Sequence, residues 1–206
     1  MKIKVVIIDY GIGNTHSVYN ALTFLGFNSI ISNKKSDLDS SNALILPGVG
    51  AFGKAMENIR KKNLDEHLFE QVVHKKKPIL GICLGMQLFA NSSEEGGYFT
   101  GLNWIDGKVK KLIQAKDYSI PNVGWSAVSF LQKDPLFSKL HESSLFYLDH
   151  SYHFVCDKKF IAATCNYNVP VVAAVQKENI FGVQFHPEKS QNNGLRLLRS
   201  FFNYIN

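Results

Sequence analysis

Cysteine is scarce in this 206-residue chain, which has three, at Cys83, Cys156 and Cys165. Their spacing makes neither a disulfide framework nor a metal knuckle, which suits a reducing compartment, and a cytoplasmic protein is expected. Long apolar runs are also missing, and none reaches the length that crosses a bilayer. The apolar residues after Lys2 and Lys4 run directly into Asp9 without a cleavage region. They read as a first strand rather than a secretory leader. No repeat, low-complexity tract or linker interrupts the chain, so a single domain over residues 1–206 is expected. No His, Asp and Glu cluster has metal-ligand spacing, and neither a metal nor a cofactor is expected. The net charge is +6, but the lysines are scattered. Lys75-Lys76-Lys77 sits where a helix C-terminus welcomes cations, and no nucleic-acid motif accompanies it. Neither a nucleic-acid nor a membrane partner is expected. Asp9-Tyr10-Gly11-Ile12-Gly13-Asn14 invites a dinucleotide reading, yet His16 stands where a third glycine or alanine belongs. A Walker lysine is absent too.

What the chain does have is an ordinary globular composition, 45% hydrophobic and 19% charged. Lys4 to Asp9 reads as a strand. Asn14 can cap a helix with Val18, Ala21, Leu22 and Leu25 on one face, and Gly26 ends it. Ala43 to Leu46 is a second strand. Helices follow from Phe52 to about Arg60 and from Asp65 to Lys76, and Pro78 opens another strand. Residues 91–107 are loop-rich. Strand-like runs then recur around Lys108, Ser126, Leu145, Phe160, Val171 and Ile180, before a last helix from about Gln191 to Tyr204. Alternating strands and helices in the first half argue for parallel pairing, and short-turned strands in the second half for antiparallel additions. The expected fold is α/β: a mixed, mostly parallel central sheet flanked by helices, with extra antiparallel strands.

The most informative stretch is Pro78-Ile-Leu-Gly81-Ile-Cys83-Leu84-Gly85-Met-Gln87. A strand that ends in Gly-x-Cys-x-Gly and turns into a helix is a nucleophile elbow. The apex residue is strained, its neighbours two positions away must be small, and the helix that follows favours thiolate. Such a cysteine needs a base, and the base an orienting group. Ile180-Phe-Gly-Val-Gln-Phe-His186-Pro-Glu188 supplies both after a second strand. Residues two apart in an extended segment face the same side, so Glu188 can hold one tautomer of His186.

Gly-Ile-Cys83-Leu-Gly-Met-Gln with a distant His186-Pro-Glu188-Lys-Ser resembles the triad glutamine amidotransferases. Asp9-Tyr-Gly-Ile-Gly-Asn14 and Pro47-Gly48-Val49-Gly50-Ala-Phe52 narrow the resemblance to glutaminase subunits of imidazole glycerol phosphate synthase. It spans nearly the whole chain. It implies hydrolysis of glutamine through a Cys83 thioester, with His186 as acid and base and Glu188 as its orienter. The ammonia would pass through a channel to a (β/α)8-barrel cyclase, in a heterodimer of histidine biosynthesis. An oxyanion needs N–H donors. Leu84, directly after the nucleophile, is one, and the Gly48-Val49-Gly50 loop should supply the other. The resemblance implies that a peptide at Val49 must reorient before the hole is complete.

Gln87, one turn beyond Cys83, can face the same pocket. The resemblance adds Glu95 for the α-ammonium of glutamine and His150-Ser151 beside the substrate. Asn14 and Trp125 are placed at the partner interface. The chain departs from the commonest pattern at Asn122, where histidine is usual, along Leu102-Asn103-Trp104-Ile-Asp106, and at Asp149. These departures point to the partner rather than to the triad. Two alternatives stay open: a paralogous glutaminase that feeds amidination of a surface sugar, and a catalytically silent regulatory or binding module.

Overall fold

The computed structural model describes residues 3–114, 116 and 118–205. The first strand, β1 (Lys4–Ile8), lies between β2 (Asn28–Ser32) and β3 (Ala43–Gly48), parallel to both. Next comes β4 (Ile79–Cys83), parallel to β3, and then β13 (Ile180–Val183), parallel to β4. Beyond β13 the pairing turns antiparallel through β12 (Val169–Lys177), β11 (Ile161–Tyr167), β8 (Asn122–Phe130) and β9 (Leu145–His150). The nine-stranded order is thus β2-β1-β3-β4-β13-β12-β11-β8-β9. A second sheet of four joins β10 (Tyr152–Cys156), β7 (Gly107–Lys111), β5 (Ser92–Ser93) and β6 (Phe99–Thr100). The expected mixed, mostly parallel architecture is what forms.

The parallel strands are apolar on both faces because helices cover both. One face packs Val5, Ile7, Ile45 and Leu80 against Val18 and Leu22 of α1 (Thr15–Phe24) and against Leu198, Phe201 and Phe202 of α6 (Gln191–Ile205). The other packs Val6, Ile8, Leu44 and Leu46 against Phe52, Met56 and Ile59 of α3 (Phe52–Lys61). α1 ends as its sequence predicts. Gly26 adopts φ +79°, its N–H donates to the Thr23 carbonyl, and the Phe27 N–H donates to the Leu22 carbonyl. That pair of bonds closes a Schellman motif.

Some elements differ from expectation. β2 and the short helix α2 (Lys35–Ser40) were not foreseen. The strand Asn-Ser-Ile-Ile-Ser is half polar because it lies at the sheet edge. The Asp65–Lys76 helix begins as α4 (Asp65–Phe69) and widens into a π-turn over Glu70–His74. The helix after Cys83, α5 (Leu84–Gln87), has only four residues. Among the described residues, no helix is long and apolar enough to cross a membrane.

Candidate active site

Cys83 ends β4 at φ +54° and ψ −112°, a strained conformation for a residue with a side chain. The sequence around it permits that turn because its flanking glycines have no room for more. A Cβ on Gly85 would lie 1.7 Å from the Leu46 carbonyl oxygen of β3. On Gly81 it would meet the Met86 N and the Phe89 ring, both at 2.7 Å. The elbow therefore follows from backbone contact. With α5 a single turn long, the helix dipole expected to favour thiolate is small. Besides the His186 ring, the sulfur has two polar neighbours. The Asp149 carbonyl oxygen lies 3.9 Å away, able to accept from S–H, and Gln184 Nε2 donates from 3.6 Å.

His186 follows β13, the strand beside β4. Its main chain is fastened to β9: the His186 N–H donates to the Tyr147 carbonyl at 2.9 Å. Ser190 Oγ accepts from the Tyr147 N–H at 3.0 Å and donates to the His186 carbonyl at 2.6 Å. The ring Nδ1 lies 2.8 Å from Glu188 Oε1, and both side chains are almost wholly buried. Burial opposes charge on this imidazole, but hydrogen bonds and charge from Cys83 and Glu188 outweigh it and raise its pKa to about 10. At neutral pH His186 holds the proton. Glu188 Oε2 is buried with no hydrogen-bond partner among the described residues, which leaves the imidazolium as the carboxylate's chief compensation.

Cys83, Leu84 and His186 line a cleft of about 340 Å³, together with Val49, Gly50, Gln87, Glu95, Pro121, Asp149, His150, Ser151 and Tyr152. Most of the residues singled out in the sequence converge here. Gly48 sits one layer behind the wall: it pairs in register with Cys83, and a Cβ there would meet the Tyr10 hydroxyl at 2.7 Å. Tyr10 in turn donates to the Pro47 carbonyl at 2.8 Å, tying the loop after β1 to β3.

Glu95 reaches the wall, with Oε2 accepting the Phe52 N–H at 2.8 Å at the start of α3. Gln87 spends its amide N–H groups on Tyr152 O and Gln184 Oε1, both at 2.9 Å. His150 Nδ1 lies 2.9 Å from Tyr152 O and Nε2 lies 3.1 Å from Asn122 Nδ2. A carbonyl can only accept, so Nδ1 carries the proton and Nε2 accepts from the amide. Burial pushes the His150 pKa down to about 4 and keeps the ring neutral.

Asn14 precedes α1, but its side chain does not cap the helix. It donates instead to Glu188 Oε1 at 3.4 Å, because the carboxylate is the stronger acceptor. Trp125 lies on β8, 46% exposed and packed edge-on to Tyr147. The departure at 102–106 belongs elsewhere. Trp104 is 3% exposed and stacks on Phe89 at 5.2 Å, in the core under the elbow, so it bears on packing rather than on a partner. Gln184 and the Asp149 carbonyl were not foreseen. Gln184 is a polar residue in an apolar strand run two positions before His186, and that pattern was the available signal. Among the described residues, no group of three or more His, Cys, Asp and Glu is gathered as a metal site would need.

A strained thiol, a buried imidazolium and a carboxylate around a cleft suit nucleophilic attack on a carbonyl carbon. The family described as "Glutamine amidotransferase class-I" matches residues 6–204. The "Imidazole glycerol phosphate synthase subunit HisH 2" of Vibrio vulnificus is 45% identical, covering 98% of this chain and 95% of that one. Its counterpart "HisH 1" in Campylobacter jejuni is 44% identical, over 96% of this chain and 98% of its own. Among solved structures, PurLQS from Thermotoga maritima superposes with a TM-score of 0.78 at 19% identity, covering all of both chains. A structure described as glutamine amidotransferase gives 0.75 at 17%, over 97% and 98% of the two chains.

Proposed function

The chain belongs to the class-I glutamine amidotransferase family, and from that premise we propose that it is the glutaminase subunit of an imidazole glycerol phosphate synthase. It hydrolyses glutamine to glutamate and ammonia. The observation that carries this reading is the convergence of Cys83, at its strained turn, and His186 on one cleft, with Glu188 bound to the ring at 2.8 Å.

In the reaction, the Cys83 sulfur attacks the side-chain amide carbon of glutamine. The oxyanion that forms is met by the Leu84 N–H and by an N–H of the Gly48-Val49-Gly50 loop. One good donor of this kind is worth on the order of 3–4 kcal/mol. Val49 and Gly50 sit on the cleft wall, and a peptide that rotated there would present its N–H to the oxyanion. His186 gives its proton to the amide nitrogen, the C–N bond breaks, and ammonia leaves a thioester. Acylation removes the sulfur charge that had raised the His186 pKa. The ring then becomes a better base just as it must take a proton from water. Hydroxide adds to the thioester, Cys83 leaves, and glutamate is released. Glu188 holds the ring throughout, and Asn14 steadies Glu188. Glu95, the amide oxygen of Gln87 and the chain at His150-Ser151 face the substrate's polar ends.

The relatives are named as subunits, which supports a partner for this chain. We take that partner to be a (β/α)8-barrel cyclase of histidine biosynthesis in the cytoplasm, in a heterodimer with a channel for ammonia and lyase activity overall. A sheet face beside the cleft offers a docking surface. Val123, Trp125 and Leu145 are 54%, 46% and 48% exposed, and in register Val123 faces Asp149 while Trp125 faces Tyr147. Cys83→Ser tests the chemistry. It is expected to keep the fold and partner binding, to abolish glutamine hydrolysis, and to leave the partner able to use ammonium salts. Wild-type glutaminase turnover should be low alone and rise when the barrel is added. Full activity of the serine variant would remove the assignment.

A second reading is favoured by one residue. Asn122 replaces the histidine usual in the family, and it contacts His150 in the cleft wall. A paralogous glutaminase serving sugar amidination accommodates that change. Growth of a histidine auxotroph lacking this subunit, when supplied with the present chain, separates the two.

A further inference from the structure

Gln184 is fully buried and does not reach the cleft wall, yet its amide points at the reacting sulfur from 3.6 Å. Its orientation is set by a chain of bonds that begins at a backbone carbonyl. Tyr152 O can only accept, so Gln87 must present its NH₂ group there, at 2.9 Å. The second N–H of that group lies 2.9 Å from the Gln184 amide oxygen. Gln184 therefore turns its oxygen to Gln87 and its own NH₂ to Cys83. Its backbone N–H, bound to the Ala173 carbonyl of β12 at 2.8 Å, fixes the residue just beyond the end of β13. A buried amide donor without a partner is costly, so the Gln184 N–H is expected to find an acceptor. The sulfur is the acceptor that the Gln184 donor meets, and an ionised sulfur accepts far better than a thiol. Of the remaining neighbours, the His186 ring also donates to the sulfur, and the Asp149 carbonyl favours the S–H form alone.

We propose that Gln184, aimed by Gln87, is a further catalytic residue of this site, whose N–H stabilises negative charge on the Cys83 sulfur. The inference rests on the glutaminase reading and deepens it. A thioester sulfur is a poor acceptor, so the bond weakens on acylation. It strengthens again as sulfur leaves in the hydrolysis of the thioester. The donor thus acts on the departing sulfur, a step that follows substrate binding.

The test is Gln184→Met, which keeps length and volume without a donor. The pH profile of iodoacetamide alkylation at Cys83 should shift upward by about one unit, and glutaminase kcat should fall about tenfold while KM stays within about twofold. An unmoved alkylation profile in the folded variant would overturn the inference. Should Gln184→Met not fold, Gln87→Met provides the second arm: losing the aiming group should move the same profile in the same direction, and no movement counts against the inference. Alkylation needs no glutamine. If Cys83 alkylates normally but the wild type hydrolyses no glutamine with or without partner, it is the glutaminase reading that fails.

Discussion

Two buried histidines stand on the walls of one cleft, and their surroundings drive them in opposite directions. His186 is 2% exposed and its pKa is pushed up to about 10; His150 is 5% exposed and its pKa is pushed down to about 4. Burial acts against the charge of both. The difference is the company each ring keeps. His186 has a carboxylate at 2.8 Å on one side and the reacting sulfur on the other. His150 has a main-chain carbonyl and a neutral amide. One ring is thereby fitted to carry a proton, and the other to act as a fixed, uncharged surface. Desolvation is common to both sites; the charged partner decides the role.

The sharpest way to break the comparison is to remove the charged ring. His186→Asn should lower glutaminase kcat about a thousandfold or more, because the proton carrier is gone. Replacement of His150 by glutamine should cost much less, and a similar loss in the two variants would erase the distinction. Next in size is acid stability. The folded His150 pKa lies below its unfolded value near 6.5, so its contribution is fully present above 6.5 and is lost as pH falls from 6.5 toward 4. That loss is on the order of 3 kcal/mol at most. His186 has the opposite sign: its contribution is present below 6.5 and is lost as pH rises through about 10. Urea unfolding across this range should show both limbs, and His150→Gln should flatten only the acid one.

Smaller again is Glu188→Gln. It should cost kcat roughly a hundredfold, since Cys83 and His186 remain, and should lower the His186 pKa in an NMR titration. Equal activity of the Glu188 and His186 variants would overturn the roles given to them. The smallest effect sharpens the comparison rather than breaking it. Asn122→Asp places a carboxylate where the neutral amide now meets His150 Nε2. The His150 pKa should then rise by about one to two units. No rise would show that desolvation alone governs that ring.

Much of this was legible in the sequence where the backbone itself imposes the requirement. Gly81, Gly85 and the apolar run before Cys83 announce the elbow because no other residues fit that turn. His186-Pro-Glu188 announces the pair because two residues in extended chain bring both groups to one side. The reading failed where a contact depends on distant chain. Gln184 lies 101 positions from the sulfur it touches, and its one local mark, a polar side chain in an apolar run, does not say what it meets. Asn14 looks like a helix cap, and only the return of residue 188 to its side gives it a better partner. In sequence Trp104 points to the partner, but its ring stacks on Phe89 in the core. β2 escaped notice because an edge strand buries too little to need an apolar pattern.

In the ladder between β3 and β4, Gly48 stands opposite Cys83. Neighbouring strands keep a spacing of about 4.8 Å through their main-chain hydrogen bonds. The separation between Cys83 and the start of the proposed oxyanion loop is therefore a ruler made of peptide, the same for any sequence able to build these two strands. Selection acting on this enzyme can retune the thiol, the imidazole and the loop's freedom to turn, but it inherits the distance between them.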